Sequence, residues 1–148
     1  MKGEFDKAIA NFSEVIRLDP KNEFSYCNRG SLYGRLVELD KSITDLTEAI
    51  KLNPKQAIAY SGLGHSHAEK GEHEKAIANY SEAIRLAPKD AANYFNRSLA
   101  YKRIKKDERA SADYTQAVRF DPQIDQQLRW CSKLVCGYRK IQKNFIRI

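Results

Sequence analysis

The segment "AIANFSEVIRLDPKN" at residues 8–22 returns later in the chain as "AIANYSEAIRLAPKD" at residues 76–90, and eleven of the fifteen positions are identical. The prolines follow a related rule. There are four, Pro20, Pro54, Pro88 and Pro122, and the spacing between successive ones is always thirty-four positions, half the offset between the two segments. A fixed period of this length indicates a repeat protein, in which each structural unit packs mainly against its neighbours.

Each unit of this repeat predicts two helices. In 76–86 the apolar residues recur at spacings of three and four, as on one face of a helix. An acidic residue opens this helix and a basic residue lies in its last turn, which complements the helix dipole at both ends. The proline that follows prevents the helix from continuing. Another helix is predicted from about 57 to 69, ending before Gly71.

Small residues recur at fixed positions on both helices of the unit. On the first helix they are Gly30, Gly64 and Ser98; on the second they are Ser42, Ala76 and Ala110, followed by Ala49, Ala83 and Ala117. Small side chains on both partners let two helix backbones approach closely, while larger neighbours fill the surrounding space. The pattern therefore predicts tightly packed helix pairs.

These positions carry a resemblance to a known family. A large aromatic residue, a small residue four positions later, an Ala…Tyr/Phe…Ala second helix and a terminal proline are similar to the tetratricopeptide repeat. The resemblance covers residues 1–122. It implies an all-α fold, an α-solenoid in which antiparallel helix pairs form a right-handed superhelix. The predicted single domain of 1–148 comprises a half repeat with only its second helix at 1–22, repeats at 23–56, 57–90 and 91–124, and a basic capping or tail helix at 125–148.

Two turns depart from the family pattern. Val37 and Lys105 stand where the family usually has glycine between the two helices of a repeat. Because these turns lack glycine, we expect them to be less sharply defined than the turns at Gly3 and Gly71.

Two arginines also depart from the pattern. Arg29 and Arg97 stand where the family usually has leucine, as Leu63 does. Each arginine is followed sixteen positions later by an acid, Asp45 or Asp113, whereas Leu63 is followed by Asn79. We predict that Arg29–Asp45 and Arg97–Asp113 form ion pairs between the two helices of one repeat; the alternative is coincidence on solvated helix faces.

By the same period, the first repeat would begin before Met1. Either the chain is a fragment of a longer array or the natural protein lacks this helix. In both cases we expect the apolar face of the helix at 5–18 to be half covered, which favours self-association or partner packing. This face carries Phe5, Ile9, Phe12 and Ile16.

Beyond Pro122 the repeat pattern stops and a helical pattern continues. Trp130 and Leu134 are predicted to cover the last repeat. The part beyond Gly137 is predicted to project past the array, as a docking surface or a frayed tail.

The net charge of +7 is unevenly distributed. Residues 1–101 carry 14 basic and 14 acidic residues, whereas residues 102–148 carry 12 and 5. No run of eighteen apolar residues or signal-peptide core is present, and the three cysteines form no CxxC motif. These features favour an intracellular, cytoplasmic protein with reduced thiols.

The sequence contains no catalytic pattern. His65 and His67 are two positions apart on one helix, so they point to different sides and cannot share a metal ion. No Ser–His–Asp arrangement, glycine-rich phosphate loop or HExxH motif occurs. The sequence therefore predicts a non-enzymatic protein with neither cofactor nor metal.

The resemblance implies that the first helices of successive repeats line a concave groove that binds a peptide or helix of another protein. Asn28 and Asn96 occupy the register in which family members often bind a peptide backbone, although Gly62 interrupts this ladder; the alternative is that these asparagines cap or solvate locally. The groove is predicted to contain Cys27, Asn28, Ser31, Arg35, Ser61, His65, Phe95, Asn96, Leu99, Lys102 and Arg103. Phe24, Ile58, Gly62, Glu69 and Ala92 share these helix faces.

One class of ligand is excluded by comparison with the family. The co-chaperones that bind the C-terminal tail of heat-shock chaperones use lysine and arginine for the terminal carboxylate. The matching positions here hold Cys27, Ser31, Gly62, Ala92 and Asn96, and none of them is a cation. The sequence therefore argues against this ligand.

Two further functions compete with groove binding. The exposed ends of the array could build homo-oligomers, through the incomplete first repeat or the tail helix. Alternatively, the basic C-terminal third could bind an acidic protein, nucleic acid or an anionic membrane, unless its charges form a solvated helix face. Its basic residues are those of "YKRIKKDER" (101–109) and, in the tail, Arg139, Lys140, Lys143 and Arg147.

Overall fold

The computed structural model describes residues 2–125, and this part of the chain is all α-helical. Its seven helices are α1 (Lys2–Leu18), α2 (Glu23–Arg35), α3 (Leu39–Leu52), α4 (Ala57–Glu69), α5 (His73–Leu86), α6 (Ala91–Arg103) and α7 (Asp107–Phe120). The predicted all-α solenoid is confirmed. Each of the four prolines follows the end of a helix.

Three of the four turns that follow a repeat are built around Asx–Pro pairs, and the fourth has Ala87 before Pro88. The residue before the proline is extended, with φ −138° at Asn53 and −139° at Asp121, because the proline ring excludes the helical conformation there. The side chain of each also accepts a hydrogen bond from the backbone N–H two positions later, at 3.1 and 2.9 Å. Asp19 does the same at 3.1 Å. The helix ends are therefore closed by local chemistry.

The turns within repeats contradict the expectation for Val37 and Lys105. Both residues adopt the left-handed conformation, with φ 62° and 58°, close to the 78° of Gly71. In all three turns, the backbone N–H of the residue after the left-handed one donates to the carbonyl five positions earlier. The N···O distance is 2.9 Å for the N–H of Glu38, 2.9 Å for that of Glu72 and 3.0 Å for that of Lys106. The turns are thus equally well defined, because the packing of the two helices imposes one geometry and the non-glycine residues accept the strain.

The two helices of each repeat touch most closely at the small residues. A Cβ atom added to Gly64 would lie 2.7 Å from the ring of Tyr80, and one added to Gly30 would lie 2.8 Å from Cγ of Leu46. Neither distance is compatible with a real side chain, so glycine is required here by space rather than by backbone conformation. Tyr80 and Leu46 fill this space and are 1% and 0% exposed.

The helices form two layers. Consecutive helices pack on each other along the whole array, and in addition α2 contacts α4 and α4 contacts α6. Within residues 2–125, no such contact joins α1 to α3, α3 to α5 or α5 to α7. The layer whose helices touch each other must be the inside of the curve. We therefore call α2, α4 and α6 the inner helices, and their exposed surface the concave groove.

Helix α1 packs against α2. Its apolar residues Phe5, Ile9, Phe12 and Ile16 are all partly buried, and the guanidinium of Arg35 lies 4.7 Å from the ring centroid of Phe5. Val15 and Leu18 on the same helix are exposed.

The strain in the Val37 turn predicts a stabilising substitution. Val37→Gly should raise the free energy of unfolding by about 1 kcal/mol, because a β-branched residue is costly in the left-handed conformation and glycine is not. Thermal unfolding followed by circular dichroism measures this as a higher Tm. The reverse change, Gly71→Val, should lower the Tm; unchanged stability in both variants would contradict the assigned strain.

Candidate functional site

The concave groove has an apolar edge and a charged edge. Phe24 and Ile58 lie at the start of successive inner helices and are 62% and 69% exposed. Arg35 and Arg103 end the inner helices α2 and α6 and are also exposed. Large apolar side chains exposed in consecutive repeats form a contact surface that water solvates poorly.

The middle of the groove carries the two asparagines of the predicted ladder. Asn28 is exposed and Asn96 is half-buried, and each directly precedes an arginine in the chain. Within residues 2–125, neither amide takes part in a hydrogen bond with another protein group. Each amide therefore keeps a donor and an acceptor for a ligand.

Four predicted residues from two inner helices meet in one depression. His65 of α4 and Asn96, Leu99 and Arg103 of α6 line a space of about 260 Å³. The depression is also lined by Tyr80 of α5, which was not among the predicted groove residues. The sequence contained one indication that this position matters, because a large residue recurs there one period apart, as Leu46, Tyr80 and Tyr114.

A second depression continues from the first along α6. Phe95, Leu99 and Lys102 line it together with residues of α7, and its volume is about 550 Å³. Leu99 is shared by both depressions and is 48% exposed. The predicted residues of the third full repeat are thus gathered at one end of the groove.

Three predicted residues of α2 and α4, Cys27, Ser31 and Ser61, line neither depression. Ser31 donates a hydrogen bond to the carbonyl of Cys27 at 2.8 Å, and Ser61 is partly buried. The prediction that Cys27 lines the groove is wrong. It is 3% exposed and packs with Leu46 and Leu63 in the core, where burial raises the pKa of its thiol. Because it is buried and its pKa is raised, this thiol is chemically inert and packs as a core residue.

The inner helices that carry the asparagines are held by arginine. Arg29 donates two hydrogen bonds to the carboxylate of Asp45, at 2.7 and 2.8 Å, and Arg97 donates two to Asp113 at the same distances. Both predicted ion pairs are confirmed. The hydrogen bonds with these aspartates raise the pKa of each arginine, and both aspartates are buried.

A third group in each cluster was missed by the sequence analysis. Nη1 of Arg29 donates to Oγ of Ser13, and Nη1 of Arg97 donates to Oγ of Ser81, both at 2.9 Å. These serines lie sixteen positions before the arginine, as the aspartates lie sixteen after it. Each cluster, which we call an arginine clamp, therefore joins three successive helices. The equal spacing on both sides could have revealed it.

The middle repeat replaces the clamp with an apolar contact. Leu63 is 6% exposed and packs with Ala59 and Leu46. Asn79, at the position of the aspartates, donates instead to the carbonyl of Lys75 at 2.8 Å. The position of Arg29, Leu63 and Arg97 therefore holds either a partly buried arginine or a leucine, and the residue sixteen positions later changes with it between aspartate and asparagine.

The turn between α6 and α7 is strongly basic. Residues 102–109 contain five basic and two acidic residues. The equivalent segment 34–41 contains two of each, and 68–75 contains two basic and three acidic residues. The earlier turns hold ion pairs such as Lys41–Glu38 at 2.5 Å and Lys75–Glu72 at 3.0 Å. Among the described residues, none of the ion pairs involves a cation of 102–109.

Comparison with known proteins settles the family. A profile described as TPR repeat matches residues 2–37, 38–71 and 64–105, and one described as Tetratricopeptide repeat matches 91–124. The chain belongs to the tetratricopeptide repeat family. None of the curated proteins matches it at a significant level.

Solved structures share the fold of this chain. A crystal structure of MamA superposes with a TM-score of 0.77 at 27% identity, covering 82% of this chain and 71% of its own. A structure of MamA 41-end from Desulfovibrio magneticus RS-1 gives a TM-score of 0.75 at 19% identity, covering 82% and 68%, a likeness of fold alone. Membership of the tetratricopeptide repeat family makes the chain a protein–protein interaction scaffold.

The predicted basic residues of the tail lie outside the part of the chain that the structure describes. The tail residues Arg139, Lys140, Lys143 and Arg147 fall beyond residues 2–125. Within that range, no helix is long and apolar enough to cross a membrane, and no group of His, Cys, Asp or Glu has the arrangement of a metal site.

The arginine clamp predicts a rescue experiment. Arg97→Leu should lower the free energy of unfolding by about 3–5 kcal/mol, because it leaves the buried carboxylate of Asp113 without its cation. Adding Asp113→Asn, which reproduces the Leu63 and Asn79 pair of the middle repeat, should recover most of this loss. Urea denaturation measures both variants.

The clamp has a matched surface control. Arg85→Leu removes the exposed i,i+3 pair with Glu82 and should cost less than about 1 kcal/mol. If Arg97→Leu costs no more than Arg85→Leu, or if the second substitution restores nothing, the clamp does not stabilise the array.

Proposed function

We propose that this scaffold acts without catalysis and binds a peptide or helix of a partner protein in the concave groove. The observation that carries the proposal is the pair of asparagines whose amides have no protein partner within residues 2–125, on helices held by arginine clamps. A rigid helix presents each amide at low conformational cost. The predicted intracellular location fits such a role and stays a proposal.

The groove suits a ligand with apolar side chains along one edge. Phe24 and Ile58 offer exposed apolar area at the start of two successive inner helices, and Leu99 adds apolar area further along α6. Burying such area provides most of the affinity of a peptide groove, while hydrogen bonds to the peptide backbone fix its register. At the opposite edge, exposed Arg35 and Arg103 favour acidic groups, and the exposed Glu69 between them favours a basic group.

The test uses a random-peptide display library selected on the wild-type protein. Selected peptides should lose about tenfold in affinity for Asn96→Ala, which removes a hydrogen bond of about 1.4 kcal/mol, and lose more for Leu99→Asp. Isothermal titration calorimetry with one synthetic peptide measures both values. Asn11→Ala, an exposed asparagine of the outer helix α1, should bind as the wild type does.

Retention of full affinity by Asn96→Ala and Leu99→Asp would place the binding surface elsewhere. Circular dichroism of each variant checks that the array remains folded. Self-association through α1 or through the tail stays a prediction of the sequence.

A second candidate function rests on the basic turn at 102–109. Its cations are exposed and lack the ion pairs found in the earlier turns, so an acidic partner would gain their attraction without breaking existing ion pairs. Lys102 also lines the groove. An acidic protein segment could therefore run from the groove onto the turn.

A fluorescent polyglutamate peptide tests this site. Lys105→Glu with Lys106→Glu should weaken its binding about tenfold at low salt, and the wild-type affinity should fall steeply as salt rises. The matched control is Lys55→Glu with Lys89→Glu, two exposed lysines of the outer turns. Equal affinity in both double variants would contradict the site, and stronger binding of a single-stranded RNA would assign it to nucleic acid.

A further inference from the structure

The depression between α4 and α6 is lined by polar side chains that lack protein partners. Its volume is about 260 Å³, and its six polar side chains are those of His65, Glu69, His73, Tyr80, Asn96 and Arg103. Within residues 2–125, none of the six takes part in a hydrogen bond or an ion pair with another protein group. Polar groups that converge on one space without partners of their own are typical of a ligand site.

The preceding repeat has an apolar contact at the equivalent place. One period before Tyr80 and Asn96 stand Leu46 and Gly62. These two residues lie so close that a Cβ atom added to Gly62 would be 3.0 Å from a methyl group of Leu46, which is 0% exposed. Packing of the repeats therefore does not require polar side chains here, and their presence in the next repeat needs another reason.

Opposite charges stand on the two sides of the depression. Glu69 is the last residue of α4 and Arg103 is the last residue of α6, and both are exposed. Arg35, which ends α2, lies over the ring of Phe5 and does not line this space. Burial raises the pKa of Tyr80 and the charge of Glu69 adds to this shift, so the phenol keeps its proton. A ligand group in the depression therefore has a cationic donor on one side and an anionic acceptor on the other.

These charges determine which ligand group fits. A carboxylate would be attracted by Arg103 and repelled by Glu69, and an ammonium or guanidinium group would meet the reverse. A carboxamide has no net charge and carries both an N–H donor and a C=O acceptor. It can accept from Arg103 and donate to Glu69 at the same time, and hydrogen bonds to charged partners are stronger than those between neutral groups.

We propose that this depression binds the side-chain carboxamide of a glutamine or asparagine of the partner peptide. Its oxygen would accept from the guanidinium of Arg103 and its NH₂ group would donate to the carboxylate of Glu69, while Leu99 contacts the methylene groups. Because the lining extends to Tyr80 of the outer helix α5, a side chain enters the depression while the peptide backbone stays in the groove beside Asn96. This inference rests on the proposed function, since the peptide must lie in the groove.

The test compares two variants that should change the preferred residue in opposite directions. Peptides selected from the random library on the wild type should be enriched in glutamine or asparagine at one position, and glutamate or lysine there should weaken binding about tenfold. Glu69→Gln should make glutamate the preferred residue, because Arg103 then acts without an opposing carboxylate. Arg103→Gln should make lysine the preferred residue for the converse reason.

Isothermal titration calorimetry with three synthetic peptides that differ only at this position measures the preference. The titrations are run at about pH 8, where histidine side chains are ordinarily neutral and add no charge to the site. The matched controls remove the same charges from exposed positions of the outer helices, with Glu4→Gln in α1 and Arg119→Gln in α7. Both controls should keep the wild-type preference, and circular dichroism should show the same helix content in all four variants.

Two results would overturn the inference. The first is selection of peptides without any enrichment of glutamine or asparagine on the wild type. The second is the same order of preference among glutamine, glutamate and lysine in the wild type, Glu69→Gln and Arg103→Gln. In either case, peptides that still lose affinity for Leu99→Asp would leave the proposed function of the groove intact, whereas peptides indifferent to Leu99→Asp would contradict the proposed function as well.

Discussion

The array depends on the close approach of the two helix backbones of a repeat, which is tightest at one glycine in the first and second full repeats. At Gly30 and Gly64 there is no room for a Cβ atom, because Leu46 and Tyr80 of the facing helix occupy that space. This contact sets the distance and the angle between the helices of a pair. The alanines that recur on the second helix, Ala49, Ala83 and Ala117, are 0% exposed for the same reason.

A fixed geometry within each pair has consequences for the turns and for the groove. The turn between the helices must contain a left-handed residue whatever its side chain, as Val37 and Lys105 show. The inner helices then lie side by side, and residues one period apart face the same groove. The inner helices pack against the outer helices on one side, and this packing fixes the position of the groove surface on their other side.

Polar groups inside the array change in matched sets. The arginine clamps occupy the first and third full repeats, and Leu63 with Asn79 replaces one in the second. Ser42 and Ser66 share a buried hydrogen bond of 2.8 Å; one repeat later the equivalent positions are Ala76 and Ala100, both buried. A buried polar group without its partner is costly, so a single change destabilises the array whereas a paired change is tolerated. This explains why the Arg–Asp pairs were predictable from spacing alone.

The sequence by itself determined the period, the Arg–Asp pairs and the helices with most of their ends, because each depends on local chemistry or on a regular register. The turn expected at Gly3 was wrong, because Gly3 lies inside α1. It also predicted which residues share the inner face. Only the tertiary structure decided the depth of each residue on that face, and it removed Cys27 from the groove while bringing His65, Asn96 and Leu99 to one depression. It also imposed the left-handed turns on Val37 and Lys105. The physical reason is that burial and backbone strain depend on contacts between helices. The spacing of residues along one helix does not specify these contacts.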